Sequence, residues 1–414
     1  MLVMASVTPL FASSGQEEAI SSGENSPLTV SLITCWPGDE VYELCGHEAI
    51  RIRGEGIDSV WNYGTFDFNT PNFLYRFVKG ETDYMLSSYP FAWFMPEYRQ
   101  SNRRVVEQDL NLTQREAARL LSRLRREALP ENRTYRYNYV RDNCATRIVD
   151  RIDETLGQKV IYTDSVRHGT FRREMRAFHK NYPWYQFGID LALGSGIDLP
   201  LRGKDEMFVP LDMMQRAATA HTTDGRRLVK ASRVLNEGVP DATLPPTPWW
   251  ATPMFLSILI FISTLGICVF DGWKKRISRL WWTIYFGLCG MAGCVVTFLV
   301  FVSEHEATSP NALIVWLNPL QLITALTVWW QRTRTLALIM NWYNLISVGL
   351  LLLVWPFQPQ SANPAFFPLM ASAVALGATY TIISFKKSSN IGKRKEPARP
   401  KRKTPRQKSP RRPK

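Results

Sequence analysis

The spacing of apolar residues changes character at Pro248. Before it, apolar positions recur in short alternating or helical patterns. After it come five long apolar stretches, at roughly 251–270, 280–302, 313–330, 336–357 and 368–385. Each approximates the ~17–25 residues a helix needs to cross a ~30 Å hydrocarbon core. Runs this uninterrupted, joined by short loops, leave no polar face for water and exclude a set of soluble core helices. The loops alternate in charge: Lys274, Lys275, Arg276 and Arg279 follow the first run, and Arg332 and Arg334 follow the third. The loops 303–312 and 358–367 carry no Lys or Arg. The positive-inside rule then assigns 271–279, 331–335 and the C-terminal tail to the cytoplasm and residues 1–250 to the outside. Trp249, Trp250, Trp281, Trp282, Trp329, Trp330 and Trp355 cluster at run ends, as interfacial aromatics do.

Upstream, Leu28–Cys35, His47–Arg53 and Asp58–Phe66 read as strands, the last two joined by the turn Gly54-Glu55-Gly56. Thr113-Gln114-Arg115-Glu116 is a capping box ahead of a helix that ends by Pro130. Tyr135–Val140 reads as a strand feeding a second helix, which carries Ala145, Ile148, Val149, Ile152 and Leu156 on one face and stops at Gly157. The fold class is α+β, followed by an all-α five-helix transmembrane domain. By period two, His47, Ala49 and Arg51 share one strand face, and Ile50 and Ile52 face the core.

Charge sharpens the division. The formal net charge is +14, but residues 386–414 hold 14 Lys and Arg against the single acid Glu396. A basic excess placed in a tail beyond the last apolar run argues against a nucleic-acid-binding globule, whose footprint lies on its folded face. The expected organisation is a truncated signal sequence and polar leader over 1–26, an outer domain over 27–247, a transmembrane domain over 248–385 and a disordered basic cytoplasmic tail over 386–414.

Cys144 falls in the first turn of the second helix, with Asp142 or Asn143 as N-cap. Orphan N–H groups and the helix dipole there favour the thiolate, the reactive form, and so lower the thiol pKa. The Cys144 N–H is also aimed where an oxyanion would form. His47, at the start of a strand, is the candidate base. The bland alternatives are a structural cysteine at a helix start and a histidine that serves packing. A Cys35–Cys45 disulfide would leave Cys144 as the odd thiol, whereas a disulfide to Cys144 would exclude it as nucleophile. No His, Cys or Asp pair has zinc-type spacing, so neither a metal nor a cofactor is expected.

Two segments carry a family resemblance: Cys35-Trp36-Pro37-Gly38-Asp39 with Gly46-His47-Glu48-Ala49-Ile50-Arg51, and Tyr137 through Arg147 around Asp142-Asn143-Cys144. Together they resemble the Lnb-type lipoprotein N-acyltransferases, whose outer domain is similar to a permuted papain-like fold with His before Cys. The likeness extends through Trp61–Phe68, Lys79-Gly80, Gly188-Ile189-Asp190, Ser303-Glu304-His305 and Trp316–Leu320. Glu306 departs from it, at a position where the family is expected to favour proline. The resemblance implies transfer of an acyl chain from a phospholipid or glyceryl ester to the N-terminal amine of a diacylglyceryl lipoprotein. That the outer domain is periplasmic and catalytic, and the membrane a bacterial inner membrane, is likewise what the resemblance of the segments around His47 and Cys144 implies.

The residues support such chemistry: a Cys144 thioester, formed with His47 relaying the proton, is open to attack by an amine. Triad logic calls for an orienting or oxyanion group, for which Asn62, Asp67 and Asn143 are candidates, each with a turn or cap as its structural alternative. Arg51 and Arg147 are candidates for lipid phosphate, with a structural ion pair as the alternative. His305, outside the second span, is a candidate for the lipid entrance. Between Phe66 and Tyr98, 11 of 33 residues are aromatic, a density suited to an acyl groove or to core packing. Rival readings are a periplasmic cysteine peptidase or amidase acting on cell-wall peptides, and a non-catalytic membrane assembly factor.

Overall fold

The computed structural model describes residues 26–162, 169–239 and 245–394, with side chains to Lys386. The expected leader, at 1–25, and the basic tail beyond 394 lie outside the described residues. The chain divides into two compact units, 1–247 with 301–310, and 248–300 with 311–414.

The first unit is built on strands β1 (Thr29–Cys35), β2 (His47–Gly54), β3 (Ile57–Phe66), β4 (Asp83–Pro90), β5 (Val105–Leu110), β6 (Thr134–Arg136) and β9 (Val229–Asn236). They form one antiparallel sheet in the order β6-β4-β3-β2-β1-β5-β9. Two short strands, β7 (Val160–Ile161) and β8 (His221–Thr222), pair separately. The helices are α1 (Phe73–Lys79), α2 (Phe91–Gln100), α3 (Gln114–Glu127), α4 (Cys144–Thr155), α5 (Phe171–Phe178), α6 (Pro183–Ala192) and α7 (Pro210–Thr219). The strand expected to run to Val140 stops at Arg136, because Asn138 and Asp142 close a tight bridge on each other instead.

Both faces of β2 are covered, which period two on its own does not reveal. Leu32, Ile50, Ile52 and Trp61 pack with Leu120, Leu121, Ala145, Ile148 and Ile152 of α3 and α4. Ile33, Ala49 and Val60 pack with Phe94, Met95 and Tyr98 of α2. Each fully buried Leu, Ile, Val, Phe or Met among them contributes roughly 1.5–3 kcal/mol. The capping box of α3 forms as the spacing predicts, Thr113 Oγ1 accepting from the Glu116 N–H at 3.3 Å and Glu116 Oε2 from the Thr113 N–H at 2.7 Å.

The second unit holds α8 (Pro253–Lys274), α9 (Arg279–Phe301), α10 (Leu320–Thr327), α11 (Arg334–Tyr343), α12 (Gly349–Val354) and α13 (Phe366–Arg394). Among the described residues four helices are long and apolar enough to cross a membrane: Pro253–Lys274, Arg279–Phe301, Gln331–Phe357 and Phe366–Lys386. The third apolar run is not the continuous span expected; it is a shorter stretch, Ala312–Thr327, interrupted before Pro319. Proline cannot continue the hydrogen-bond ladder, and in hydrocarbon the freed backbone groups need partners. Asn318 supplies them: its Nδ2 donates to the Ile314 and Val315 carbonyls at 3.0 and 3.1 Å, and its Oδ1 accepts from the Leu320 N–H at 3.1 Å. Gln321 repeats the device, donating to Trp316 O at 2.9 Å and to Asn344 Oδ1 at 2.7 Å.

Candidate functional site

Cys144 is set by its helix cap. Asn143 accepts from the Ala145 and Thr146 N–H groups at 2.9 and 3.0 Å, and its own amide donates to the Tyr139 and Phe208 carbonyls at 2.9 and 2.8 Å. A cap of this kind is worth about 1 kcal/mol. Because both ends of the amide are occupied, Asn143 holds α4 in place and is not an oxyanion donor.

The sheet opens where α4 begins. β2 pairs with β3 only from Ile50↔Trp61 to Gly54↔Ile57, and β3 slips against β4 between Asn62 and Thr65. Gly64 sits in that slip at φ +90°, a left-handed conformation that favours glycine. A Cβ on Gly64 would lie 3.9 Å from Cys144 Cβ. The backbone N–H groups of Glu48, Ala145 and Cys144 itself each favour the Cys144 thiolate. Burial nevertheless wins: desolvation raises the Cys144 pKa above the ordinary thiol value, and the three N–H groups offset only part of this. The expectation of a thiol pKa lowered by the helix start is thus corrected, since the helix acts in that direction but a buried sulfur loses more hydration than the dipole returns.

His47 precedes Glu48 on β2. Its Nε2 lies 3.0 Å from Asn62 Oδ1, and because a carbonyl oxygen only accepts, Nε2 carries the proton and Nδ1 holds the free lone pair. Burial lowers the His47 pKa below the usual imidazole value, opposed in part by the Asn62 hydrogen bond. A raised thiol and a lowered imidazole disfavour a resting ion pair, so both groups are neutral near pH 7.

The remaining candidates take structural places. Asp67 accepts from the Asn69 N–H at 2.9 Å in an exposed turn, away from the His47–Asn62 pair. Arg51 is buried, forked onto Asp58 at 2.6 and 2.7 Å and stacked over Phe91 at 3.3 Å, so it has no face for a lipid phosphate. Arg147 pairs with Asp142 at 2.7 Å and lies over the Tyr135 ring at 3.4 Å, likewise committed. His305 Nε2 donates to the Phe77 carbonyl at 2.8 Å and fastens the outer loop to α1. Glu306, the departure from the family pattern, accepts from Asn138 Nδ2 at 3.3 Å. Among the described residues every cysteine is a free thiol; Cys45 Sγ meets Tyr139 OH at 3.1 Å rather than Cys35. No cluster of three metal-ligating side chains occurs among the described residues.

One residue of this site was not singled out from the sequence. Glu48 is fully buried, opposite Thr34 in the β1–β2 register, and neither carboxyl oxygen has a partner within hydrogen-bond geometry among the described residues. Burial raises its pKa well above the carboxylate range; Thr34 lowers it somewhat, and charge on Cys144 would raise it further. The folded protein therefore keeps a proton that the unfolded chain releases above about pH 4.3. Stability due to this group falls as pH rises through that value, by about 1.4 kcal/mol per unit, until the folded pKa is passed. Glu48→Gln removes the penalty: the wild type is expected to lose melting temperature between pH 5 and 7 relative to the variant, measured by thermal unfolding of the detergent-solubilised chain. Parallel pH profiles would refute a neutral Glu48.

Comparison with known proteins places the chain in a family. Residues 16–173 match the Lnb N-terminal periplasmic domain, and residues 246–388 match the Lnb transmembrane domain. No curated protein matches, and no solved structure does. The matched segments contain His47, Asn62 and Cys144 on one side and all the apolar helices on the other, and the chain belongs to the Lnb-type lipoprotein N-acyltransferase family, as a membrane protein with a periplasmic N-terminal domain.

Proposed function

We propose that the protein moves an acyl chain from a phospholipid or glyceryl ester, through a thioester on Cys144, to the N-terminal amine of a diacylglyceryl lipoprotein. The observation that carries this reading is the surroundings of Cys144: a buried cysteine that opens helix α4 under the Asn143 cap and faces Gly64, with a His47 oriented by Asn62 on strand β2 of the same domain. In the first half-reaction His47 Nδ1 accepts the thiol proton as sulfur attacks the ester carbonyl. Collapse of the tetrahedral intermediate breaks the C–O bond, and the same proton goes to the departing alkoxide. In the second, the amine attacks the thioester, His47 takes one amine proton, and that proton returns to the leaving thiolate. The backbone N–H groups around the sulfur are the available donors for the oxyanion in both steps. The basic segment beyond 386 lies, on this reading, in the cytoplasm.

Intact mass spectrometry after incubation with phospholipid tests the proposal. Wild type is expected to gain one acyl mass, labile to hydroxylamine, and to release it to a diacylglyceryl peptide with a free amine. Cys144→Ala gains none. An unmodified wild type that instead cleaves a wall peptide would replace this reading with a peptidase, and full complementation by Cys144→Ala would remove catalysis altogether.

A further inference from the structure

A chain of aromatic rings runs from the outer loop to Cys144. From His305 the steps are Phe77 at 6.5 Å, Phe73 at 5.9 Å, Phe66 at 5.7 Å, Tyr84 at 5.1 Å and Tyr137 at 4.4 Å between ring centres. The last ring borders the site: a Cβ on Gly64 would stand 3.3 Å from Tyr137 and 3.9 Å from Cys144 Cβ, so the glycine leaves a notch between ring and nucleophile. Along its outer part the chain of rings is uncovered. α1 buries none of its residues, and Phe68, Leu74 and Phe77 are 63%, 73% and 43% exposed.

Exposed apolar area of this kind marks a binding surface, and its chemistry narrows the occupant. The cations of α1 are spent inside the unit, Arg76 on Asp83 at 2.9 Å and Lys79 on Glu81 at 2.5 Å, so the strip offers a partner little besides apolar surface. His305 belongs to 301–310, the segment that continues directly from the spanning helix Arg279–Phe301. The outer end of the strip is therefore fastened to a segment that follows directly in sequence on a membrane-spanning helix.

We propose that this aromatic ladder is the track along which an acyl chain of a membrane lipid reaches Cys144, entering over Phe77 and Phe73 and ending at the Gly64 notch. The inference rests on the acyl-transfer reading for what happens at its inner end. The ladder itself needs only the apolar contact of rings with methylenes.

The test uses the full chain reconstituted in phosphatidylethanolamine–phosphatidylglycerol vesicles doped with a phospholipid bearing a diazirine on one acyl chain. Photo-adducts are mapped by peptide mass spectrometry in the wild type and in Cys144→Ala. Adducts are expected on Phe66–Phe77 and on the peptide containing Tyr137 in both proteins. Phe73→Glu should lower them about tenfold, and Phe73→Leu should retain them, because an ionised carboxylate is excluded from an acyl track. Adducts confined to the spans, or unaffected by Phe73→Glu, would overturn the track, as would protection of the strip by a lipoprotein peptide without its acyl groups. A labelled ladder in a protein that never acquires the acyl mass would instead defeat the chemistry while leaving the lipid contact standing.

Discussion

Replacing His47 by alanine is expected to slow acyl transfer about 10³-fold, the middle of the range for loss of a positioned general base. The size follows from the protonation states. Burial raises the Cys144 pKa and lowers that of His47, so the resting thiol keeps its proton and must lose it during attack. His47 is neutral and ready to accept that proton at neutral pH, with Nδ1 free because Asn62 occupies Nε2 at 3.0 Å. The wild-type rate should hold as pH falls toward the ordinary imidazole value of about 6.5 and decline only below it. Without His47 the remaining rate depends on spontaneous thiolate, which grows about tenfold per pH unit below the thiol pKa, so the variant's profile should climb steadily through neutral and mildly alkaline pH. Asn62→Ala leaves the base but frees its tautomer, and a loss of about tenfold to 10²-fold is expected. Steady-state transfer to a diacylglyceryl peptide across pH measures all three. A His47→Ala protein within about threefold of wild type, with an unchanged profile, would remove His47 from the reaction.

The local structure around Cys144 was legible in the chain because local signals and tertiary structure agree there. The α3 box forms as spelled by Thr113 and Glu116, and Asn143 caps α4 so that Cys144 opens it. Asn62 was one candidate orienting group among three; proposing it over Asp67 and Asn143 required the hydrogen bonds, since all three residue types also serve turns and caps. Arg51 and Arg147 were ambiguous for the same reason: a guanidinium suits phosphate and carboxylate alike, and only the fold brings Asp58 and Asp142 to them. Glu48 has the parity of Ile50 and Ile52, the core face, but an acid at the start of a strand reads as lying beyond the covered part, and no local pattern reports that it is fully buried. The third apolar run read as one continuous helix because hydropathy averages over its break, whereas Trp316–Pro319 separates the turn Ala312–Val315 from α10. β4 and α2 meet at Pro90 with no polar break between them, which left an aromatic-rich stretch without visible boundaries.

The largest stability effect is expected at Arg172, which no motif marked. Its guanidinium is 1% exposed and donates to Asp198 at 2.9 Å, to Asp190 at 2.9 Å, and to the Leu193 and Gly194 carbonyls at 2.9 and 2.7 Å. Those carbonyls belong to the strip that receives the outer loop: the Gly194 N–H donates to Ala307 O and the Ser195 N–H to Pro310 O, each at 2.8 Å. A side chain at Gly194 would come within 2.2 Å of the Pro310 carbonyl, so the approach is close and depends on the strip keeping its shape. Removing the cation leaves two buried carboxylates, with Asp190 still facing Arg176 at 3.0 Å, and truncation of one partner in such a cluster costs about 3–5 kcal/mol. Arg172→Ala should therefore lower the melting temperature by roughly 10 °C, given about 2–4 °C per kcal/mol for a domain of this size. Arg172→Lys should fall between, since an ammonium keeps the charge but cannot reach both aspartates and two carbonyls with a rigid fork. Arg172→Met combined with Asp190→Asn and Asp198→Asn should recover part of the loss, because most of the cost is the stranded charge rather than the absent pair. Limited proteolysis within 301–310 should rise in parallel with the melting shift. An Arg172→Ala protein that melts with the wild type would show that the cluster does not hold this loop, and the ladder's anchorage through His305 would then need another support.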